Sequence, residues 1–159
     1  AYPRRVPILR FDELDRSSKP YHEGQMHYSF SLEGVSAEDL EGFCVGWAHP
    51  LSGARLLAAL QGGYRVVVAR ESHDGPVVGF IQAISDGLLS AYLPLLEVRP
   101  EFQGRGIGSE LVRRMLGELE GLYMVDLCCD EALVPFYERM GMVTVRGMVR
   151  RNYHALQRG

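Results

Sequence analysis

The stretch from Leu93 to Leu119 constrains the fold most, because it joins an apolar strand, a glycine-rich loop and an amphipathic helix without interruption. Leu93, Pro94, Leu95, Leu96, Glu97 and Val98 read as a strand. Pro100 ends it, since proline donates no ladder hydrogen bond and restricts the residue before it. Apolar residues then recur at Ile107, Leu111, Met115 and Leu119, one stripe along a helix that begins near Gly106 to Gly108. Between strand and helix lie Gln103, Gly104, Arg105, Gly106, Ile107, Gly108 and Ser109. Glycines there permit positive φ and keep Cβ atoms away from a ligand. Amides at a helix start, carrying roughly half a positive charge, suit a phosphate, and Arg105 can add a charge-assisted contact.

Two familiar phosphate loops do not fit. A nucleotide P-loop requires Gly-Lys-Ser/Thr, and this loop has no lysine. A dinucleotide fingerprint requires G-x-G-x-x-G within a βαβ unit with a ribose-binding acid beyond it, whereas the loop reads G-x-G-x-G.

With Val98, Arg99 and Pro100 before it, the Gln103, Gly106, Gly108 pattern closely resembles the acetyl-CoA-binding segment of the GCN5-related N-acetyltransferases (GNAT). The resemblance implies an α/β (α+β) single domain: a mixed, mostly antiparallel central sheet flanked by helices on both faces. It covers about Ser36 to Gly141, within an expected domain 26–159 that follows an irregular arm, 1–25. It also implies acetyl-CoA as co-substrate, held by the loop from Gln103 to Ser109 and by Leu96 and Val98 on a strand that diverges from its neighbour. An amide there, of Val98 or a neighbour, would polarise the thioester carbonyl.

The remaining composition is that of an ordinary globular chain. It has 159 residues, 47% hydrophobic and 23% charged, long enough for a sizeable core. A net charge of −3 and apolar runs shorter than a membrane span argue against nucleic acid and membrane as partners. Cys44, Cys128 and Cys129 make a poor disulfide framework and lack zinc spacing, so no metal site and a reducing, cytoplasmic setting are expected. Of the 17 basic residues only Lys19 is a lysine, which base composition explains. The start, Ala1 to Arg5, lacks the apolar core of a signal peptide.

Taken in order, Met26 to Leu32 alternates as a first strand, while His22 and His27 read as surface or polar-core residues. Ser36, Glu38 and Asp39 mark an N-cap with acids in the first turn of a helix running through Leu40, Phe43, Cys44 and Trp47 to Pro50. A second helix spans Ser52 to Leu60. In the resembling family such helices wall the acceptor side, which would make Phe43, Trp47 and Leu51 substrate-facing. Helix spacing alone makes Phe43 and Trp47 core. Tyr64 to Arg70 and Val77 to Ile84 predict a hairpin, Leu88 to Val98 the next strand, and Tyr123 to Cys129 another. Cys128 and Cys129 read as buried small hydrophobes, nothing local activating them as nucleophiles. Glu131 to Met140 predicts a helix that Asp130 can cap and Gly141 closes. That segment resembles the second GNAT signature, with Tyr137 and Gly141 in register. Asp130 replaces its asparagine, Leu133 its alanine and Met142 its phenylalanine, so a cofactor contact from Asp130 would be as an acceptor only. Met142 to Val145 and Met148 to Tyr153 end the chain as strand-like runs.

Direct acetyl transfer to a primary amine needs a partner for the departing thiolate and an acceptor for the amine proton. Tyr137 fills the first role by resemblance. A phenol of pKa about 10 protonates a thiolate of pKa about 8.5 uphill by about 2 kcal/mol, so Tyr137 acts first as a hydrogen-bond donor. An alkylamine of pKa about 10.4 is neutral about once in 2,500 molecules at pH 7, so a base helps. Histone-modifying members carry a glutamate where this chain has Tyr92. The remaining acceptors are Glu97, first because it adjoins the cofactor strand, then Asp86, Asp126 or water. The expected activity is N-acetylation of a small-molecule amine. The alternatives are a protein or peptide acceptor, a catalytically weak acyl-CoA-binding regulatory module and, less well supported, a nucleotide-binding domain. Homodimers are common among proteins of this resemblance.

Overall fold

The computed structural model describes residues 26–47, 49–152 and 155. The expected arm 1–25, with His22, lies outside them, as does Tyr153 of the last strand-like run. Cys129–Arg146 falls in one compact unit and Gly24–Cys128 in another.

Five strands form one sheet in chain order: β1 (His27–Ser29), β2 (Arg65–Arg70), β3 (Val77–Ser85), β4 (Ser90–Val98) and β5 (Met124–Asp126). The first four run antiparallel and β5 runs parallel to β4, which is the mixed, mostly antiparallel sheet expected. Successive side chains of a strand point to opposite faces. Val66, Val68 and Phe80 therefore enter one core, with Leu40, Phe43, Cys44 and, from helix α1 (Gly53–Gln61), Leu56 and Leu60. Val67, Ala69 and Ile81, also buried, face the other way. Helix α2 (Ile107–Glu118) packs on β2, β3 and β4 and buries Ile107, Leu111, Val112 and Met115. Each fully buried Leu or Val contributes about 1.5–3 kcal/mol of transfer free energy.

Both ends of α1 are secured by side chains. Ser52 Oγ accepts from the Arg55 amide at 3.4 Å, and a Glu41 carboxylate oxygen accepts from the Gly53 amide at 2.8 Å. Gln82, only 3% exposed, donates from Nε2 to the carbonyls of Ala59 at 2.6 Å and Leu60 at 3.4 Å. Those carbonyls belong to the last turn, where a helix leaves its acceptors unmatched.

Several local expectations are corrected. The helix expected from Leu40 to Trp47 is a short 3-10 turn, Glu38–Leu40, followed by a loop. Ser36 and Asp39 do form reciprocal hydrogen bonds at its start, 2.9 and 3.3 Å. The helix expected over 131–140 is a 3-10 turn, Glu131–Leu133, leading into α3 (Val134–Glu138). Asp130 marks its start through its backbone carbonyl, which accepts from Leu133 N at 2.8 Å, and not through its side chain. Among the described residues Met142 to Val145 and Met148 to Asn152 are not in strands. Cys128 and Cys129 are exposed, not buried, because β5 ends at Asp126 before reaching them.

Candidate active site

Strand β4 has a defect that sets the geometry around it. Leu95 pairs with Gln82 and Tyr92 with Ile84, so Leu93 and Pro94 together oppose Ala83 alone. Such a bulge bends a strand and ends regular pairing. On the other edge, β4 pairs with β5 only at Ser90, Ala91 and Tyr92, and β5 stops at Asp126, the partner of Tyr92. Among the described residues, no strand pairs with that edge from Leu93 to Val98. The Arg99 amide donates to the Val78 carbonyl at 2.8 Å. Ladder alternation then turns the backbone groups of Leu96 and Val98 toward the open edge. Pro94 lies in the same alternation, so its missing N–H leaves no donor stranded there.

After β4 a 3-10 turn, Pro100–Phe102, leads into the glycine loop. Gln103 turns its side chain back, donating from Nε2 to the Val98 carbonyl at 3.0 Å. Arg105 donates to the Glu101 carbonyl at 2.9 Å and stacks 5.0 Å from the Phe102 ring centroid. Gly104 and Gly106 have φ of +73° and +81°, and a Cβ on either would point into open space. Gly106 forms the N-cap of α2 with no side-chain cap. The first helical hydrogen bond is Glu110 N to Gly106 O at 3.0 Å, so the amides of Ile107, Gly108 and Ser109 precede the ladder. These amides, beside an open strand edge, suit a ligand with a phosphate at one end and an amide-rich arm at the other.

Glu97 shares the Phe80 side of the sheet. It is half-buried beneath the loop from Glu41 to Trp47, where Gly42, Cys44 and Gly46 all adopt positive φ. Burial raises the Glu97 pKa, against the Cys44 amide and Trp47 indole that reach its carboxylate. The same burial, with the Glu97 charge nearby, pushes the Cys44 thiol up to about 11. A small cavity of about 50 Å³ lies here, lined by Cys44, Val45, Glu97, Val98 and Gln103 among others. Phe43 is core, as its spacing implied; Trp47 remains 38% exposed, and Leu51 packs partly buried against the core.

Of the other acids, Asp86 is a turn residue. Its Oδ1 accepts from the Leu88, Leu89 and Ser90 amides at 2.8–3.1 Å, and the Leu89, Leu88 and Ser90 hydrogen bonds hold its pKa down. Asp126 is exposed at the end of β5. Tyr92 lies where β4 and β5 part, and its pKa is raised first by a hydrogen bond with Cys128 and then by burial. Local spacing gave no sign of that contact. In the Cys129–Arg146 unit, burial first and Cys129 second raise the Tyr137 pKa. The Met142 amide donates to the Tyr137 carbonyl at 3.2 Å, and Gly141 has φ of +82°, closing the helix as expected. No group of three or more His, Cys, Asp or Glu side chains able to hold a metal occurs among the described residues.

The family model for the acetyltransferase (GNAT) domain matches residues 31–156. The chain belongs to the GNAT acetyltransferase family. A candidate acetyltransferase from Deinococcus radiodurans R1 is 46% identical with a TM-score of 0.78, over 81% of this GNAT chain and 90% of that one. A GNAT-family acetyltransferase from Streptococcus pneumoniae TIGR4 is 30% identical with a TM-score of 0.66, over 80% and 98%. The chloroplastic GCN5-related N-acetyltransferase 2 of Arabidopsis thaliana is 31% identical over 136 residues, 70% of this chain and 52% of that protein. The chain thus spans about half the length of that plant relative. No helix among the described residues is long and apolar enough to cross a membrane.

Proposed function

We propose that residues 26–159 form an N-acetyltransferase domain that moves acetyl from acetyl-CoA directly to a primary amine of a small molecule. The observation that carries this reading is the open edge of β4 from Leu93 to Val98, running into the uncapped start of α2. Bound acetyl-CoA would supply an activated acetyl thioester. Amides of Ile107, Gly108 and Ser109 would hold its pyrophosphate, with Gln103, Gly104, Arg105 and Gly106 shaping the loop. Arg105, tied to Glu101 O, contributes charge from a fixed place. The backbone of Leu96 and Val98 would bind the pantetheine amides, and the Val98 amide would donate to the thioester oxygen. Asp130 would contribute an acceptor only.

Glu97 is the proton acceptor in this reading. Its burial-raised pKa increases its basicity toward an ammonium while leaving it ionised above that pKa. Tyr137 donates a hydrogen bond to the leaving sulfur. Burial keeps its phenol protonated, which suits a donor. The three free cysteines support a reducing compartment such as cytoplasm.

Tyr92, in the place of the histone-type glutamate and engaged with Cys128, favours a second reading: an acyl-CoA-binding regulatory module without turnover. Thiol release from acetyl-CoA, screened against polyamines, arylalkylamines, aminoglycosides, amino acids and peptides, separates the two. The enzyme releases thiol with at least one amine. Thermal stabilisation by CoA with no release from any of them identifies the regulatory module, and release with peptides alone identifies a protein acceptor.

A further inference from the structure

Arg99 directly follows the candidate cofactor strand, yet its side chain serves the opposite wall of the site. Its Nε donates to the Val77 carbonyl at 2.9 Å, and one Nη donates to the carbonyls of Asp39 at 3.0 Å and Glu41 at 3.1 Å. The guanidinium lies 4.3 Å from the Phe43 ring centroid, and Phe43 in turn packs 5.0 Å from Phe80. One side chain thereby fastens the start of β3, the 3-10 turn and the following loop to the end of β4. The fastened loop is strained: Cys44, fully buried, has φ of +61° between Gly42 and Gly46 at +78° and +88°. A non-glycine residue holds that conformation only where its surroundings enforce it. From this loop the Cys44 amide and the Trp47 indole reach the Glu97 carboxylate.

We infer that Arg99 is a positioning residue for acetyl transfer: it clamps the Glu41 to Trp47 loop onto β4 so that two N–H donors are aimed at Glu97. The inference rests on Glu97 being the proton acceptor. Lysine cannot take over, because a single ammonium neither spans three carbonyls nor stacks flat on a ring. Among the described residues, the ionisable groups that share the small cavity with Glu97 are the Cys44 thiol on the loop and Arg99, just past the end of β4. The nearby acids are engaged elsewhere. Asp39 accepts from Ser36 and lies 4.0 Å from Arg70, and Glu41 accepts from the Gly53 amide. Loosening the loop therefore removes donors from Glu97 without bringing up another charge.

The pH dependence of kcat/KM for a reactive amine tests this in wild type, Arg99→Lys, Trp47→Phe and Glu97→Gln. A base works when deprotonated, so activity rises with pH through the Glu97 pKa, and losing N–H donors must move that rise to higher pH. Arg99→Lys is expected to shift the acidic limb upward, to lower kcat/KM for the amine on the order of tenfold to a hundredfold, and to leave CoA affinity unchanged. Trp47→Phe, which loses one donor, shifts the limb the same way by less. The carboxyl-carbon NMR titration of Glu97 should move in parallel without turnover. An unmoved limb and titration in Arg99→Lys, with only the melting temperature lowered, would make Arg99 merely structural and overturn the inference. If Arg99→Lys does not fold, Arg99→Gln and the Trp47→Phe shift decide it by the same criterion. A Glu97→Gln enzyme with wild-type rate and limb refutes the Glu97 reading itself.

Discussion

Glu97 pays twice for its place, in burial and in the loop strain around it, so replacing it separates function from stability. Its folded pKa is raised, which disfavours the ionised form on folding; the stability lost this way is absent at low pH and grows as pH rises through the unfolded and then the folded pKa. Glu97→Gln should therefore lower kcat by about 10²-fold or more, as for loss of a general base, while leaving thermal stability at pH 8 equal or higher. A rate within error of wild type at all pH values would remove Glu97 from the chemistry. Gly106 permits a similar separation. At φ of +81° an alanine costs about 1–2 kcal/mol in conformation, yet its Cβ meets no atom of the described residues. Asparagine tolerates that φ, so Gly106→Asn should recover much of the stability lost in Gly106→Ala while CoA affinity stays weakened in both. Recovery of affinity together with stability would mean that the open space beside Gly106 holds no ligand. Tyr137→Phe should lower kcat with CoA affinity kept; an unchanged rate would assign the thiolate another partner.

At the scale of elements, α2 holds the loop in place through side chains on its buried stripe. Leu111 is fully buried and its Cδ1 would lie 3.2 Å from a Cβ on Gly79. Leu111→Ala should cost about 2–5 kcal/mol in urea unfolding without altering CoA affinity in the folded protein. A smaller loss would mean that the core collapses around the gap. The strand, loop and helix between Leu93 and Leu119 were legible because their signals are local: Pro100, the glycines and a four-residue apolar recurrence. The β2–β3 hairpin was legible for the same reason. Leu40, Phe43, Cys44 and Trp47 misled because they satisfy helix spacing, whereas Gly42 and Gly46 take positive φ and break the helix. Pro94 was the available sign of the bulge, since a proline inside a strand sits at an edge or a bulge. The clamp of Arg99 on Asp39 and Glu41 spans about sixty residues of sequence, and the Tyr92 contact joins β4 to Cys128, two residues past the end of β5. Neither leaves a local pattern to read. The last runs read as strand-like, but such a run makes a strand only where a partner supplies hydrogen bonds.

For the whole molecule, the account requires the glycine loop and the open β4 edge to bind one ligand together. A ligand that binds only the folded state stabilises it by about 2.7 kcal/mol at a hundred times its Kd, which for a chain of this size raises Tm by about 5–10 °C. Stabilisation alone does not locate the ligand, so the deciding measurement is residue-resolved: backbone amide NMR of the labelled protein titrated with acetyl-CoA. The largest shifts are expected at Leu96 and Val98 and from Gly106 to Ser109, saturating together with one Kd. Saturable binding that leaves those amides unmoved and shifts another face would contradict the account.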